Sequence, residues 1–292
     1  MPNATVVLVA SLRRWKIRYM LARRVVTAVI LAAVGLPAIF VGGIPYLLLI
    51  AFFLGVASWE YSRLCRRAHY QPLSVLTVGG VLAILTARAL FPLWAEETLT
   101  VLVLLAMGIH LMRYERGRDE AALDFALTVG GIVYLGWVGA YLLDVRNLPG
   151  GIWWLFLVLL PVWLADSGAY FVGVRWGRHR LSPRLSPKKS WEGYWAGVVV
   201  GTLGGVLFAW LWKRFDLLDV PMWSGAIIGL VLSLFTTLGD LGESMFKRWV
   251  GVKDSGNLFP GHGGVFDRVD SWLWAAALGY PLVLWLQHVR GF

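Results

Sequence analysis

Long uncharged runs separated by short basic segments are the feature that most restricts how this chain can fold. Residues 25–59 contain no Asp, Glu, Lys or Arg, and apolar stretches of about 20 residues recur up to the C-terminus. A helix of about 20 apolar residues crosses the roughly 30 Å of hydrocarbon in a bilayer. Together with a 58% hydrophobic composition and a mean hydropathy of +0.67, this pattern predicts a polytopic membrane protein.

The apolar runs predict about nine transmembrane helices. Backbone amides in hydrocarbon must be bonded within their own segment, so every span is expected to be a helix. We predict an all-α fold with one catalytic membrane domain over residues 25–292, preceded by a cytosolic extension of residues 1–24. The predicted spans are 25–42, 44–59, 73–92, 97–112, 122–143, 152–174, 194–212, 222–240 and 271–287.

The placement of lysine and arginine predicts the orientation. Twenty-two of the 27 Lys and Arg residues lie in the N-terminal segment or in the loops after the second, fourth, sixth and eighth spans. Cytoplasmic loops are enriched in these residues, so we expect a multi-pass protein of the cell inner (plasma) membrane with a cytosolic N-terminus. The net charge of +10 then reports topology, and its dispersal over separate loops argues against nucleic-acid binding.

Charged residues around the sixth and seventh spans form the first candidate site. Asp166 lies inside the sixth span, where an ionised carboxylate is costly, so we expect it to face a polar interior or a cation. A structural hydrogen bond to a neighbouring helix is the alternative. Lys188 and Lys189 precede a helix that should begin near Ser190, and the N-terminal amides of a helix favour phosphate. For Glu192, in the first turn of that helix, a purely capping role is the alternative to a role at the site.

The densest charge lies in residues 240–270. If the eighth span stays helical beyond the membrane, two carboxylates and a lysine recur three and four residues apart on one face: Asp240, Glu243 and Lys247. Glycines and a proline exclude helix over residues 251–264 and allow the backbone to approach a phosphate closely. Asp267 and Asp270 then share a face at the start of the ninth span.

Five carboxylates in one short region predict a metal site. They would repel one another strongly unless cations lay between them, and oxygen ligands without cysteine suit Mg²⁺ better than zinc. The five are Asp240, Glu243, Asp254, Asp267 and Asp270. Mg²⁺ beside basic residues and glycine amides is typical of polyphosphate chemistry. A salt-bridged hairpin at the membrane surface is the alternative, but it does not need this density of glycine.

Three segments of the chain resemble the phosphatidate cytidylyltransferases, which are integral membrane CDP-diacylglycerol synthases. The stretches ADSGAYFVG and SPKKSWEG are similar to two segments of that family, with Ser190 where Thr is more usual. The resemblance covers residues 163–271 closely, whereas the first 150 residues match only as hydrophobic spans. Its longest part runs through Ser244, Lys247, Arg248, Lys253, Asp254, Gly256, Pro260, His262, Gly263, Gly264, Asp267, Arg268 and Asp270.

This resemblance implies transfer of CMP from CTP to phosphatidic acid, with CDP-diacylglycerol and pyrophosphate as products and Mg²⁺ as cofactor. It also implies a polytopic helical protein that is often a homodimer, acting at the first committed step towards phospholipids made from CDP-diacylglycerol. The lipid phosphate would attack the α-phosphorus directly, at the cytosolic face. The expected catalytic residues are Asp240, Lys247, Lys253, Asp254, Asp267 and Arg268. We then expect Asp240 and Asp267 to be the primary metal ligands, with Asp254, Glu243 and Asp270 as further ligands or their partners.

The substrates should be bound by a second set of residues. We expect these to be Asp166, Lys188, Lys189, Arg248, His262, Gly263 and Gly264, with a turn position as the alternative role of His262. Two other functions stay open, a secondary transporter and another membrane lipid phosphotransferase. A transporter should show inverted repeats and a site near the midplane. A CDP-alcohol phosphotransferase would carry a DG…AR…G…D…D run, and a lipid kinase a glycine-rich nucleotide loop.

Overall fold

The computed structural model describes residues 29–256 and 263–289, and this part of the chain is predominantly helical. The all-α prediction is confirmed, with one small antiparallel hairpin added. The elements are α1 Val29–Val41, α2 Gly43–Arg67, α3 Ser74–Leu90, a 3₁₀ turn Pro92–Trp94, α4 Ala95–Glu115, α5 Ala121–Gly131, a π-helical turn Ile132–Trp137, α6 Tyr141–Asn147, α7 Gly151–Trp176, β1 Arg180–Ser182, β2 Ser186–Ser190, α8 Trp191–Arg214, α9 Met222–Phe235, α10 Thr237–Trp249 and α11 Phe266–Val289.

Seven helical segments within the described residues are long and apolar enough to cross a membrane. Three of them join neighbouring elements: the 3₁₀ turn with α4, α5 with α6, and α9 with α10. The helices α1 and α3 are apolar but shorter, so the count of nine spans stays a prediction. The orientation of the N-terminus is likewise a prediction, since residues 1–24 lie outside the described part of the chain.

Two predicted spans end at places that differ from the helices. The span predicted to end at residue 59 belongs to α2, which continues to Arg67 because its inner face stays apolar: Tyr61, Leu64 and Cys65 are all buried. The eighth span divides at Thr236 into α9 and α10. Hydropathy locates the edge of the hydrocarbon, whereas packing of side chains against the core decides where a helix stops.

Glycines let α8 lie very close to both of its neighbours. A Cβ atom on Gly205 would lie 2.1 Å from the carbonyl oxygen of Gly225 in α9, and one on Gly197 would lie 2.8 Å from that of Ala165 in α7. Small residues at such contacts allow tight packing of membrane helices. The three helices therefore form a close-packed unit that carries the β1–β2 hairpin at one end.

The loops that follow α2, α4, α7 and α10 meet at one end of the molecule, which we call the basic end. These are four of the segments that the charge pattern assigned to a common side. Three contacts join them: Arg113 Nη1 to the carbonyl oxygen of Gln71 (2.7 Å), the ring of Tyr70 to that of Trp249 (5.3 Å between centroids) and Arg248 Nε to the carbonyl oxygen of Leu185 (3.1 Å).

At the opposite end of the molecule, two arginines connect helices through hydrogen bonds and an ion pair. Arg146 donates from Nε to the carbonyl oxygen of Ile39 (2.7 Å) and from Nη2 to that of Phe40 (3.1 Å), which satisfies carbonyls left open at the end of α1. Arg88 of α3 bonds Asp144 of α6, with Nη2 2.6 Å from Oδ2. These contacts hold α1, α3 and α6 together.

Candidate active site

The contact between α10 and α11 brings the acidic residues together at the basic end. Gly239 packs against the start of α11, where an added Cβ would lie only 2.5 Å from the carbonyl oxygen of Asp270. Asp240 follows Gly239 directly, so its carboxylate emerges beside that of Asp270. Glu243 comes one turn later on the same face of α10, as the spacing predicted.

Asp240, Glu243 and Asp270 form a trio that we call the acidic cluster. One oxygen of each lies within 4.8 Å of the others. The Glu243 side chain is fully buried and Asp270 is 7% exposed, while the Asp240 side chain is 38% exposed. Oε1 of Glu243 has no hydrogen-bond partner among the described residues. The cluster thus opens to the surface through Asp240 and keeps carboxylate oxygen available for a cation.

Two lysines compensate the negative charge. Lys189, at the end of β2, forms an ion pair with Asp240. The buried Lys247 forms ion pairs with Glu243 and with Asp267, whose Oδ1 lies 2.6 Å from Nζ. Asp166 of α7 lies near enough to Lys189 and Asp240 to interact with both electrostatically. Residues from four separate segments of the sequence therefore meet at one charged site.

Asp267 fastens the loop that precedes α11. Its Oδ2 accepts hydrogen bonds from the backbone amides of Ser255 (2.9 Å) and Gly264 (2.9 Å), and the Ser255 hydroxyl lies 2.8 Å away. Gly263 has a φ of +81°, a left-handed conformation that glycine adopts without strain. In this arrangement the Gly264 amide, which we expected at a phosphate, donates to Asp267.

The β1–β2 hairpin presents Lys189 to the cluster. The predicted helix start is confirmed, because Ser190 is the N-cap of α8 and its Oγ accepts from the Gly193 amide at 3.2 Å. Glu192 accepts from the backbone amides of Arg178 (3.1 Å) and His179 (3.2 Å), so it closes the base of the hairpin. The hairpin was not predicted, since its two short strands carry no alternating apolar pattern.

The other predicted site residues lie at the rim of the site. Arg248 uses Nε and Nη1 to bind the backbone carbonyl oxygens of Leu185 and Val252, which joins the hairpin to α10. His262 lies outside the described residues. The roles expected for this group stay predictions, and four of its members have exposed side chains: Lys188, Lys253, Asp254 and Arg268.

Two residues at the site were missed by the sequence analysis. Glu60 of α2 is buried, and its Oε2 accepts from the backbone amide of Phe266 at 2.9 Å. Tyr134, in the π-helical turn, accepts a hydrogen bond from Trp274 Nε1 at 3.1 Å and interacts electrostatically with Asp270. For Glu60 a signal existed: it is the first charge after the uncharged run of residues 25–59.

Comparison with known proteins identifies the family. A model described as the cytidylyltransferase family matches residues 22–286, which is nearly the whole chain. The chain belongs to the cytidylyltransferase family. It is therefore a nucleotidyltransferase, and the resemblance seen in its motifs is confirmed.

Curated relatives agree with this assignment over most of their length. Phosphatidate cytidylyltransferase of Bacillus subtilis is 32% identical over 284 residues, covering 89% of this chain and 97% of the relative. The protein of that name from Staphylococcus saprophyticus is 32% identical over 261 residues, 87% of this chain and 96% of the relative. The one from Synechocystis is 32% identical over 298 residues, 91% of this chain and 98% of the relative.

Proposed function

We propose that this cytidylyltransferase transfers CMP from CTP to phosphatidic acid, giving CDP-diacylglycerol and pyrophosphate for phospholipid synthesis. Relatives named phosphatidate cytidylyltransferase align with 87% and 89% of this chain. The observation that carries the proposal is the acidic cluster, flanked by Lys189 and Lys247 at the basic end. Carboxylates beside lysines suit a reaction in which charge on phosphate must be held and moved.

In the proposed reaction an oxygen of the lipid phosphate attacks the α-phosphorus of CTP. The bond from that phosphorus to the oxygen bridging to the β-phosphate breaks, and pyrophosphate leaves with the electron pair. No side chain of the site forms a covalent intermediate. Lys189 lies at the open side of the cluster and would bind phosphate oxygens there, whereas the buried Lys247 holds Glu243 and Asp267 in place.

The donor set of the acidic cluster fits Mg²⁺, which is part of the proposal. Octahedral ligands at about 2.1 Å from one ion lie roughly 3 to 4.2 Å apart, so three oxygens within 4.8 Å need only a small contraction. The unpartnered Oε1 of Glu243 supplies a hard oxygen donor. When held by these carboxylates, the ion would supply positive charge that offsets the negative charge of the CTP phosphates and of the leaving group.

Asp267 lies beside this trio. Lys247 occupies its Oδ1, and donors from the loop before α11 surround its Oδ2. We therefore propose Asp240, Glu243 and Asp270 as the residues that would hold the metal. In that proposal Asp267 holds Lys247 and the loop in register with the cluster.

The membrane supplies one substrate and the cytosol the other. Acyl chains contribute about 0.8 kcal/mol per buried CH₂ group, so phosphatidic acid stays in the bilayer while CTP arrives from water. The site lies at the end where the basic loops meet, and we propose that this end faces the cytosol from the inner membrane. Both substrates could then reach one site without either leaving its phase.

The purified protein in detergent, given CTP, phosphatidic acid and Mg²⁺, should release pyrophosphate and CDP-diacylglycerol in equal amounts. Asp240→Asn should lower kcat about 100-fold or more, because it removes a cluster carboxylate and the partner of Lys189. Asp219→Asn, an exposed site beside Lys213 outside the acidic cluster, is the matched control and should keep near-normal activity.

Different products would point to the other functions. Absence of pyrophosphate would favour a transporter, and a phosphorylated lipid with release of CDP would favour a lipid kinase. An Asp240→Asn protein with unchanged turnover would contradict the assignment of the site even if the wild type makes CDP-diacylglycerol.

A further inference from the structure

Glu60 connects the second helix to the loop and helix start that carry Asp267. It is 4% exposed, and its Oε2 accepts hydrogen bonds from the Phe266 amide (2.9 Å) and the Ser255 hydroxyl (2.8 Å). The Phe266 amide opens α11, where the positive end of the helix dipole stabilises a carboxylate. A buried carboxylate is tolerated only with such partners, so Glu60 fixes where α11 begins.

Two glycines, Gly256 and Gly264, lie directly against the Glu60 carboxylate. A Cβ atom on Gly256 would lie 2.0 Å from Oε1 of Glu60, and one on Gly264 would lie 2.1 Å from Oγ of Ser255 and 2.4 Å from Oε2 of Glu60. Real Cβ atoms do not approach other atoms this closely, so a Cβ on Gly256 would displace Glu60, and one on Gly264 would displace both Glu60 and Ser255. Close packing against Glu60 and its partner Ser255 therefore explains both glycines.

The Ser255 hydroxyl stands between two carboxylates. It lies 2.8 Å from Oε2 of Glu60 and 2.8 Å from Oδ2 of Asp267, and its single proton serves one of them at a time. From Asp267 the contacts continue through Lys247 to Glu243 of the acidic cluster. An unbroken series of polar contacts therefore runs from α2 to the proposed metal ligands.

We propose that Glu60 is a positioning residue for the cytidylyl transfer, acting through Ser255 on the orientation of Asp267 and Lys247. This inference rests on the proposed function. Glu60 is buried against Ser255, Gly256 and the start of α11, so we assign it no direct contact with a substrate. Its contribution is to hold the loop and α11 at the distance from α10 at which the cluster forms.

The kinetic test uses the full chain with Glu60→Gln, Ser255→Ala and the double substitution. Misplacing catalytic groups by about 1 Å costs up to about 100-fold, so each single change should lower kcat about 10- to 100-fold, with KM for CTP changed less than about threefold. The kcat of the double variant should be no more than about threefold below that of the less active single variant, because both residues act along one series of contacts.

The matched control is Ser58→Ala, two residues away on α2. Its hydroxyl donates to the Gly55 carbonyl within the same helix (2.7 Å) and has no hydrogen bond to the described residues of the loop, so kcat should stay within about twofold of the wild type. Ser255→Ala is a small change that keeps the test available if Glu60→Gln does not fold.

Amide hydrogen exchange provides a readout that needs no activity. In Glu60→Gln, peptides containing Ser255, Gly264 and Phe266 should exchange about tenfold faster or more, and those from α8 should not change. Unchanged exchange, unchanged kcat or independent multiplicative losses in the double variant would each overturn the proposal. If the wild type makes no CDP-diacylglycerol, the proposed function fails, and the exchange rates still show whether Glu60 anchors the loop.

Discussion

Lys188 and Lys189 show how neighbouring residues of one type acquire different places. Both precede α8, and the sequence assigned them the same role at a phosphate. In β2 successive side chains point to opposite faces, so Lys189 pairs with Asp240 while Lys188 is exposed. The helix start was predictable from Ser190, but the strand before it was not. The Ser-Pro stretches show no alternation of polar and apolar residues that would indicate which side chains share a face.

The ion pair of Lys189 leads to a prediction about CTP. Lys189→Ala should lower kcat/KM for CTP about 100-fold, because it removes a cation from the open side of the cluster and leaves Asp240 unpaired. Steady-state rates at varied CTP measure this. Arg184→Ala, in the turn of the same hairpin, is the control and should change kcat/KM less than about threefold. Equal effects of the two substitutions would mean that the hairpin contributes only general positive charge.

At the scale of elements, the sequence predicted which residues share one face of α10 but not which carboxylate of α11 lies beside them. The spacing of Asp240, Glu243 and Lys247 puts them on one side of any helix, and the structure confirms that α10 is helical there. Which carboxylate of α11 joins them depends on the depth at which the two helices pack. Gly239 sets that depth, and Asp270 rather than Asp267 completes the cluster.

Two glycines of α10 give a matched test of this packing. Gly239→Ala places a methyl group 2.5 Å from the backbone oxygen of Asp270, so α10 must move away from α11. We expect kcat to fall about 100-fold from a displacement of about 1 Å. Among the described residues the added methyl group of Gly242→Ala meets nothing within 4 Å, so this variant should keep activity while stability rises by up to about 1 kcal/mol through helix propensity.

Rates and unfolding midpoints in detergent measure both glycine substitutions. Loss of activity in both variants to the same extent would show that α10 tolerates no added side chain, and would remove the evidence for a specific contact with α11. Full activity of Gly239→Ala would show that the separation of the two helices does not limit the reaction.

For the whole molecule, the apolar runs and basic loops predicted more of the architecture than any motif did. The apolar runs correspond to helices because hydrocarbon leaves the backbone no other partner, and the loops after α2, α4, α7 and α10 meet at one end as their charge implied. The sequence could not predict that a residue of a distant helix, Glu60, contacts the loop of the site. Glu60 lies 195 residues from Ser255, and only the packing of α2 against the last two helices brings them together.

The orientation of the basic end can be measured by labelling cysteines from one side. Cys65 is the chain's one cysteine and is buried, so Cys65→Ser gives a background in which Arg184→Cys reports the hairpin and Arg214→Cys the other end of α8. The 24 residues of α8 span about 36 Å, which separates the two positions by more than the hydrocarbon thickness. In intact cells a membrane-impermeant maleimide should label the Arg214→Cys protein alone, and the Arg184→Cys protein only after permeabilisation. The reverse pattern would place the acidic cluster on the side away from cytosolic CTP, and a cytidylyltransferase reaction at that cluster could not then proceed in the cell.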